Sequence, residues 1–162
     1  MDSENFYCDK CSGNVDKKDD YCPHCGALFI DGIGCSRHKN MQADGICVIC
    51  GEPCCADCLS EVNGRYLCSN HLDYEIYEDL ARVYGTSDVN HAEYLKNFLE
   101  CEGLHPFLYS RKTNPYSLGG IDYTLFRAAG DYDGHIINEM KIMVPLQEVT
   151  RAEELLTEFE KE

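Results

Sequence analysis

Apolar residues recur at helical spacing only in the second half of the chain. From Val89 to Glu102 the positions Val89, Ala92, Leu95, Phe98 and Leu99 keep the three-and-four rhythm of one buried helix face. Gly85-Thr86-Ser87-Asp88 turns the chain and caps that helix, and Gly103 stops it. Leu80 to Tyr84 and Leu104 to Tyr109 read as strands on either side, and Lys141 to Val144 as another. Pro145 opens a last helix with Val149, Ala152, Leu155, Leu156 and Phe159 on one face, because a missing amide costs nothing at a helix start. The order strand, helix, strand, long insert, strand, helix predicts a small α+β sandwich with both helices on one face of a sheet. Ahead of it, Asp73 to Asp79 is an acidic, tyrosine-bearing connector read as a helical turn.

The insert, Ser110 to about Ile137, exceeds the roughly 12–15 residues that a structureless loop usually reaches. It carries Tyr116, Tyr123, Phe126 and Tyr132, and Ile121 to Leu125 alternates like a strand. An added strand over a sheet edge is the favoured reading, ahead of a binding loop. Gly119-Gly120 is not a phosphate loop, since neither Lys-Ser/Thr nor a helix follows it.

Before Asp73 the periodicity gives way to paired ligands. Cys35/His38, Cys47/Cys50, Cys55/Cys58 and Cys68/His71 each keep a two-residue gap, which lets one turn aim both side chains at one ion. Eight ligands make two closed tetrahedral zinc sites. Cys8/Cys11 and Cys22/Cys25, ten residues apart, make a third, four-cysteine site. His24 sits inside a pair as an exposed spacer. Cys54 adjoins Cys55, and Cys55 is preferred as ligand because it restores the two-residue gap to Cys58. Gaps of eight, four and nine residues separate the four pairs. That spacing leaves two pairings open: a crossed one, or a sequential one in which Cys35 to Cys50 closes on one ion. Asn63-Gly64 between apolar runs reads as a tight hairpin turn that delivers Cys68 and His71.

Twelve cysteines in 162 residues are a large excess, and only Cys101 lies beyond residue 68. Met1 to Phe6 has neither a basic region nor an apolar run, so no signal peptide is expected. No stretch approaches the roughly 18 apolar residues of a membrane span. A reducing, cytoplasmic setting is therefore expected, where paired cysteines mean metal more often than disulfides. The formal charge is −15. Counting ten thiolate ligands and three zinc ions brings it to roughly −19. A chain this acidic, with no basic run longer than Lys17-Lys18 or Arg111-Lys112, is a poor nucleic-acid or anionic-membrane binder.

Tyr7-Cys8-Asp9-Lys10-Cys11-Ser12-Gly13 and Tyr21-Cys22-Pro23-His24-Cys25-Gly26 resemble the short zinc-ribbon family, over residues 1–30. Residues 35–72 resemble the B-box zinc finger, down to the ending Arg65-Tyr66-Leu67-Cys68-Ser69-Asn70-His71. That resemblance implies a cross-brace: Cys35, His38, Cys55 and Cys58 on one zinc, and Cys47, Cys50, Cys68 and His71 on the other. The chain carries less histidine near its end than the vertebrate form. Residues 80–160 resemble a bacterial family named for a signal-transducing role and assigned no chemistry. Arg82-Val83-Tyr84-Gly85-Thr86-Ser87-Asp88, Leu99-Glu100-Cys101-Glu102-Gly103-Leu104, Asn114-Pro115-Tyr116-Ser117-Leu118-Gly119-Gly120 and Met143-Val144-Pro145 carry the match. It implies a βαββα, ferredoxin-like or nitrogen-regulator-like fold.

These expectations converge on a non-enzymatic adapter or regulatory protein with three zinc ions and an unidentified protein partner. A sensor of small molecules through the C-terminal domain is the alternative, and a ubiquitin-ligase-type finger is weaker. Catalysis is not expected. A catalytic zinc keeps an open position, and here the ligand counts fill three sites. His91, His105 and His135 have no paired nucleophile motif, and Cys101 lies at a helix C-terminus, where the dipole disfavours a thiolate.

Overall fold

The computed structural model describes residues 6–110, 130–132, 135–137 and 139–161. The chain divides into two units, Met1–Tyr74 and Glu75–Glu162. Residues 6–30 and 35–72 thus fall in one unit.

The first unit has short antiparallel pairs and no helix among its described residues. β1 (Phe6–Tyr7) pairs with β2 (Asn14–Val15), β3 (Gly45–Ile46) with β4 (Pro53–Cys54), and β5 (Leu59–Val62) with β6 (Arg65–Cys68). Val62 opposes Arg65, which leaves Asn63 and Gly64 as a two-residue turn. Their φ values of 51° and 76° are those of a type I′ hairpin, the form whose twist matches the flanking strands. The buried apolar side chains of this unit are mostly thiols, joined by only Ile46, Val48, Ile49 and Leu67. So few aliphatic groups cannot offset the ordering of some 70 residues, and small units of this kind depend on a metal or a cross-link.

The second unit is a four-stranded antiparallel sheet with two helices. It contains β7 (Ile76–Tyr77), β8 (Leu80–Thr86), α1 (Val89–Cys101), β9 (Phe107–Tyr109), β10 (Gly130–Tyr132), β11 (His135–Ile137), β12 (Met140–Pro145) and α2 (Val149–Phe159). The sheet order is β7-β8-β12-β9, with β10 and β11 as a separate hairpin. Ile142 pairs with Tyr84 and Met143 with Arg82, so Val83 is an extra residue and the strand carries a bulge there. Asp88 caps α1 by accepting from the amides of Asn90 (2.9 Å) and His91 (3.2 Å). At its other end Gly103, at φ +84°, bonds back to Glu100, and Leu104 to Leu99. The helices touch each other through Phe159 against Tyr94 and Phe98, and both touch β8 and β12, which places them on one face. Beneath them lie Ala81, Ala92, Leu95, Leu99, Ile142, Val144, Val149, Ala152, Leu155 and Leu156, all buried.

The structure differs from the sequence reading at several points, among them β8, which runs on through Gly85 and Thr86 where a turn is expected. Asp73–Asp79 contains strand β7, where a helical turn is expected. Its Ile76 and Tyr77 pair with Ala81 and Leu80 around a turn in which Glu78 takes φ +52°. Pro145 ends β12 in extended conformation, opposite Leu80. Leu146–Glu148 then form a 3-10 turn before α2. Val89 heads the apolar stripe of α1 but is 40% exposed, and the buried stripe starts at Ala92. The insert's Tyr116, Tyr123 and Phe126 and the expected strand Ile121–Leu125 lie outside the described residues.

Candidate metal centres

Three of the six ligand pairs are built by one local device. In Cys8-Asp9-Lys10-Cys11 the Ser12 amide donates to the Cys8 carbonyl (2.8 Å) and the Cys8 amide to Gly13 (2.9 Å). In Cys22-Pro23-His24-Cys25 the same bonds run from Gly26 to Cys22 (2.8 Å) and from Cys22 to Ala27 (2.8 Å). Cys47 to Cys50 repeats them through Gly51 and Glu52. The residue after the second cysteine must turn left-handed to close this loop. Ser12, Gly26 and Gly51 have φ of 57°, 82° and 72°. Two of the other pairs sit on simpler turns, with the Cys58 amide donating to Cys55 and that of His71 to Cys68, both at 2.9 Å.

These turns converge on three groups: Cys8, Cys11, Cys22 and Cys25; Cys35, His38, Cys55 and Cys58; and Cys47, Cys50, Cys68 and His71. Within each, all ligand atoms lie within 4.8 Å of one another, and each group can hold a metal ion. The second and third groups are crossed: pairs one and three meet, and pairs two and four meet. The β5–β6 hairpin, which starts one residue after Cys58 and ends on Cys68, sets the third and fourth pairs side by side, yet they serve different groups.

The distances fit coordination and exclude disulfides. Sulfur separations are 3.7 Å for Cys8–Cys25, 3.5 Å for Cys11–Cys22 and 3.9 Å for Cys50–Cys68. A tetrahedron with metal–sulfur bonds of about 2.3 Å has edges of about 3.8 Å, whereas a disulfide is about 2.05 Å long. Both histidines face their group through Nδ1. His38 lies 3.3 Å from the sulfurs of Cys55 and Cys58, and His71 lies 3.1 Å from Cys68 and 3.4 Å from Cys47. Backbone amides steady sulfurs, among them that of Gly13 at Cys11 and that of Arg37 at Cys35, each at 3.4 Å.

Each group contains one thiol prepared to ionise. The side chain of Cys50 outweighs burial and holds Cys47 down to about 4, while the same pairing pushes Cys50 up. Burial opposes ionisation of Cys35, yet the amides of Arg37, Cys55 and His38 together hold it down to about 6. At Cys8 burial is likewise outweighed, by the amides of Cys11 and Lys10, and the thiol falls to about 7. Burial leads the upward push on Cys22, Cys25 and Cys58. Each cysteine must shed its proton to ligate a metal ion, so metal binding by these groups releases protons.

Cys54 stays out of both flanking groups. It is fully buried in β4, opposite Gly45, and burial together with the charge at Cys68 pushes its thiol up to about 11. His24 is not the exposed spacer expected. It is half-buried, its Nε2 lies 3.2 Å from the Asn14 carbonyl, and a side-chain carbon on Gly13 would come within 2.6 Å of its ring. It packs one knuckle on the other. Sequence reasoning also passed over Asp44, whose carboxylate accepts from the Ala56 amide (2.7 Å) and holds the turn between Cys55 and Cys58. No spacing signals that contact. His91 packs edge-on against Tyr84, His105 pairs with Glu148 at 2.7 Å, and Cys101 is exposed. None of them joins a metal group.

No family model, curated protein or solved structure matches the chain. Among the described residues no helix is long and apolar enough to cross a membrane.

Proposed function

We propose that the protein is a zinc-binding, non-enzymatic adapter of the cytoplasm, its N-terminal unit held rigid by three zinc ions and its surfaces docking protein partners in signalling. The observation that carries this reading is the completeness of the three ligand groups. The first offers four thiolates, and the second and third each offer three thiolates and one imidazole. Four soft donors match the preference of Zn²⁺ for sulfur and nitrogen in a closed tetrahedron. Zinc so held supplies folding energy and leaves no position for substrate. The knuckle bonds and the hairpin support reading residues 1–30 as a zinc ribbon and 35–72 as a B-box-like cross-brace. Adjacent antiparallel β8, β12 and β9 support a ferredoxin-like reading of 80–160, with β7 beside β8.

Docking draws support from apolar groups left at the surface. On the N-terminal unit Phe6, Tyr7, Val15 and Phe29 line a shallow groove with Asp9, Asp16 and Asp19. On the sheet Tyr77 and Tyr109 stack with ring centres 6.0 Å apart, and both are exposed, as is Phe107. Aromatic side chains are enriched at the centres of protein interfaces.

The test joins metal content to partner capture. Protein purified without added metal is expected to carry three equivalents of zinc. Its captured partners are expected to be lost on chelation or in the Tyr7→Asp/Phe29→Asp variant, whose zinc content stays at three. Partners indifferent to both treatments contradict the adapter reading. Metal content of two or fewer contradicts the zinc reading.

A further inference from the structure

The first and third metal centres are joined by backbone. Cys25, a ligand of the first centre, accepts through its carbonyl from the amide of Tyr66 (2.9 Å). Tyr66 lies two residues before Cys68, a ligand of the third centre, and its own carbonyl accepts from Val48 (3.0 Å), which follows the ligand Cys47. The next carbonyl, that of Gly26, accepts from Ile46 (2.8 Å), which precedes Cys47. A second bridge is made by Lys10, inside the first knuckle. Its ammonium lies 2.8 Å from Glu61 and 3.5 Å from the centre of the Tyr66 ring. The fit is close, since a side-chain carbon on Gly26 would come within 2.0 Å of the Ile46 carbonyl oxygen. Among the described residues no backbone hydrogen bond runs from 6–30 to the turns that carry Cys35, His38, Cys55 and Cys58.

We infer that the first and third centres bind zinc as one cooperative pair, with Cys25, Gly26 and Tyr66 as the coupling residues, while the second centre feels the first only through the third, to which the Ser69 amide and Cys58 carbonyl join it (3.2 Å). This rests on the three-zinc reading above. The physical reason is that an ordered first knuckle presents the Cys25 and Gly26 carbonyls in place. They hold Ile46 and Tyr66, and through them Cys47 and Cys68, before the third centre takes its ion. The ordering cost is met once for two ions, which is positive coupling between sites.

The experiment uses the full chain and zinc. A chelator is titrated in, and release from each centre is read by mass spectrometry of the cysteines that become alkylated. In the Cys8→Ser/Cys11→Ser variant the third centre is expected to release zinc at about tenfold lower chelator, within the usual range of site-to-site coupling. The second centre should weaken less than the third. Coupling of binding free energies is reciprocal, so Cys47→Ser/Cys50→Ser should weaken the first centre by the same factor. Gly26→Ala keeps all twelve ligands and should also weaken the third centre more than the second. An unchanged third centre in either the cysteine or the glycine variant overturns the inference. So does an equal loss at the second and third centres, or a first centre indifferent to the loss of the third. A wild type that holds three zinc ions without this coupling overturns only the inference; one that holds no zinc overturns the underlying reading as well.

Discussion

Cys54 and Cys55 are chemically identical neighbours in opposite roles, Cys54 ending β4 and Cys55 following it. Cys55 meets His38 at 3.3 Å, while Cys54, opposite Gly45, is equally buried and joins no metal group. The expected consequence is a difference in metal content. Cys54→Ala should keep three equivalents of zinc and Cys55→Ala should fall to two, as elemental analysis of the purified proteins would read. A loss of one equivalent from Cys54→Ala would reverse the assignment. At this scale the sequence was informative because a two-residue gap is a local property, visible without knowledge of the fold. The partners that make the gaps converge were not visible. Asp44 holding Ala56, and His24 packed against Gly13, depend on residues a dozen or so positions apart meeting in space.

Elements were legible where their period was long. The stripe Ala92, Leu95, Leu99 and the cap at Asp88 marked α1, and Ala152, Leu155 and Leu156 marked α2. β7 was not legible, because two residues have no period and the strand exists only through its pairing with β8. Pro145 misled for a related reason: its fixed φ suits both a strand end and a helix start, and the neighbouring strand decided between them. The cap gives a measurable expectation. Asp88→Ala leaves the amides of Asn90 and His91 without their acceptor and should destabilise the second unit by about 0.5–2 kcal/mol. Urea unfolding followed at 222 nm would show it as a lower midpoint with unchanged slope. An unaltered midpoint would mean that the cap contributes nothing to the unit.

The whole molecule joins two units held by different forces. The first has a core of thiols, and the second a core of aliphatic side chains under two helices. Both described helices lie in the second unit. Chelation is therefore expected to unfold residues 1–74 while the helical circular dichroism at 222 nm persists. A parallel loss of helix would show that the second unit depends on the metals. The grouping of 6–30 with 35–72 in one unit was hidden from the sequence, because it rests on the carbonyls of Cys25 and Gly26 and on Lys10 meeting Glu61 and Tyr66, residues far apart along the chain. The crossed pairing of the second and third centres is the claim on which the rest depends, and cadmium-113 NMR of the cadmium-loaded protein tests it most directly. Couplings from cysteine β-protons are expected to join Cys35, Cys55 and Cys58 to one cadmium resonance and Cys47, Cys50 and Cys68 to another. A spectrum that joins Cys35 and Cys47 to the same resonance would contradict the account.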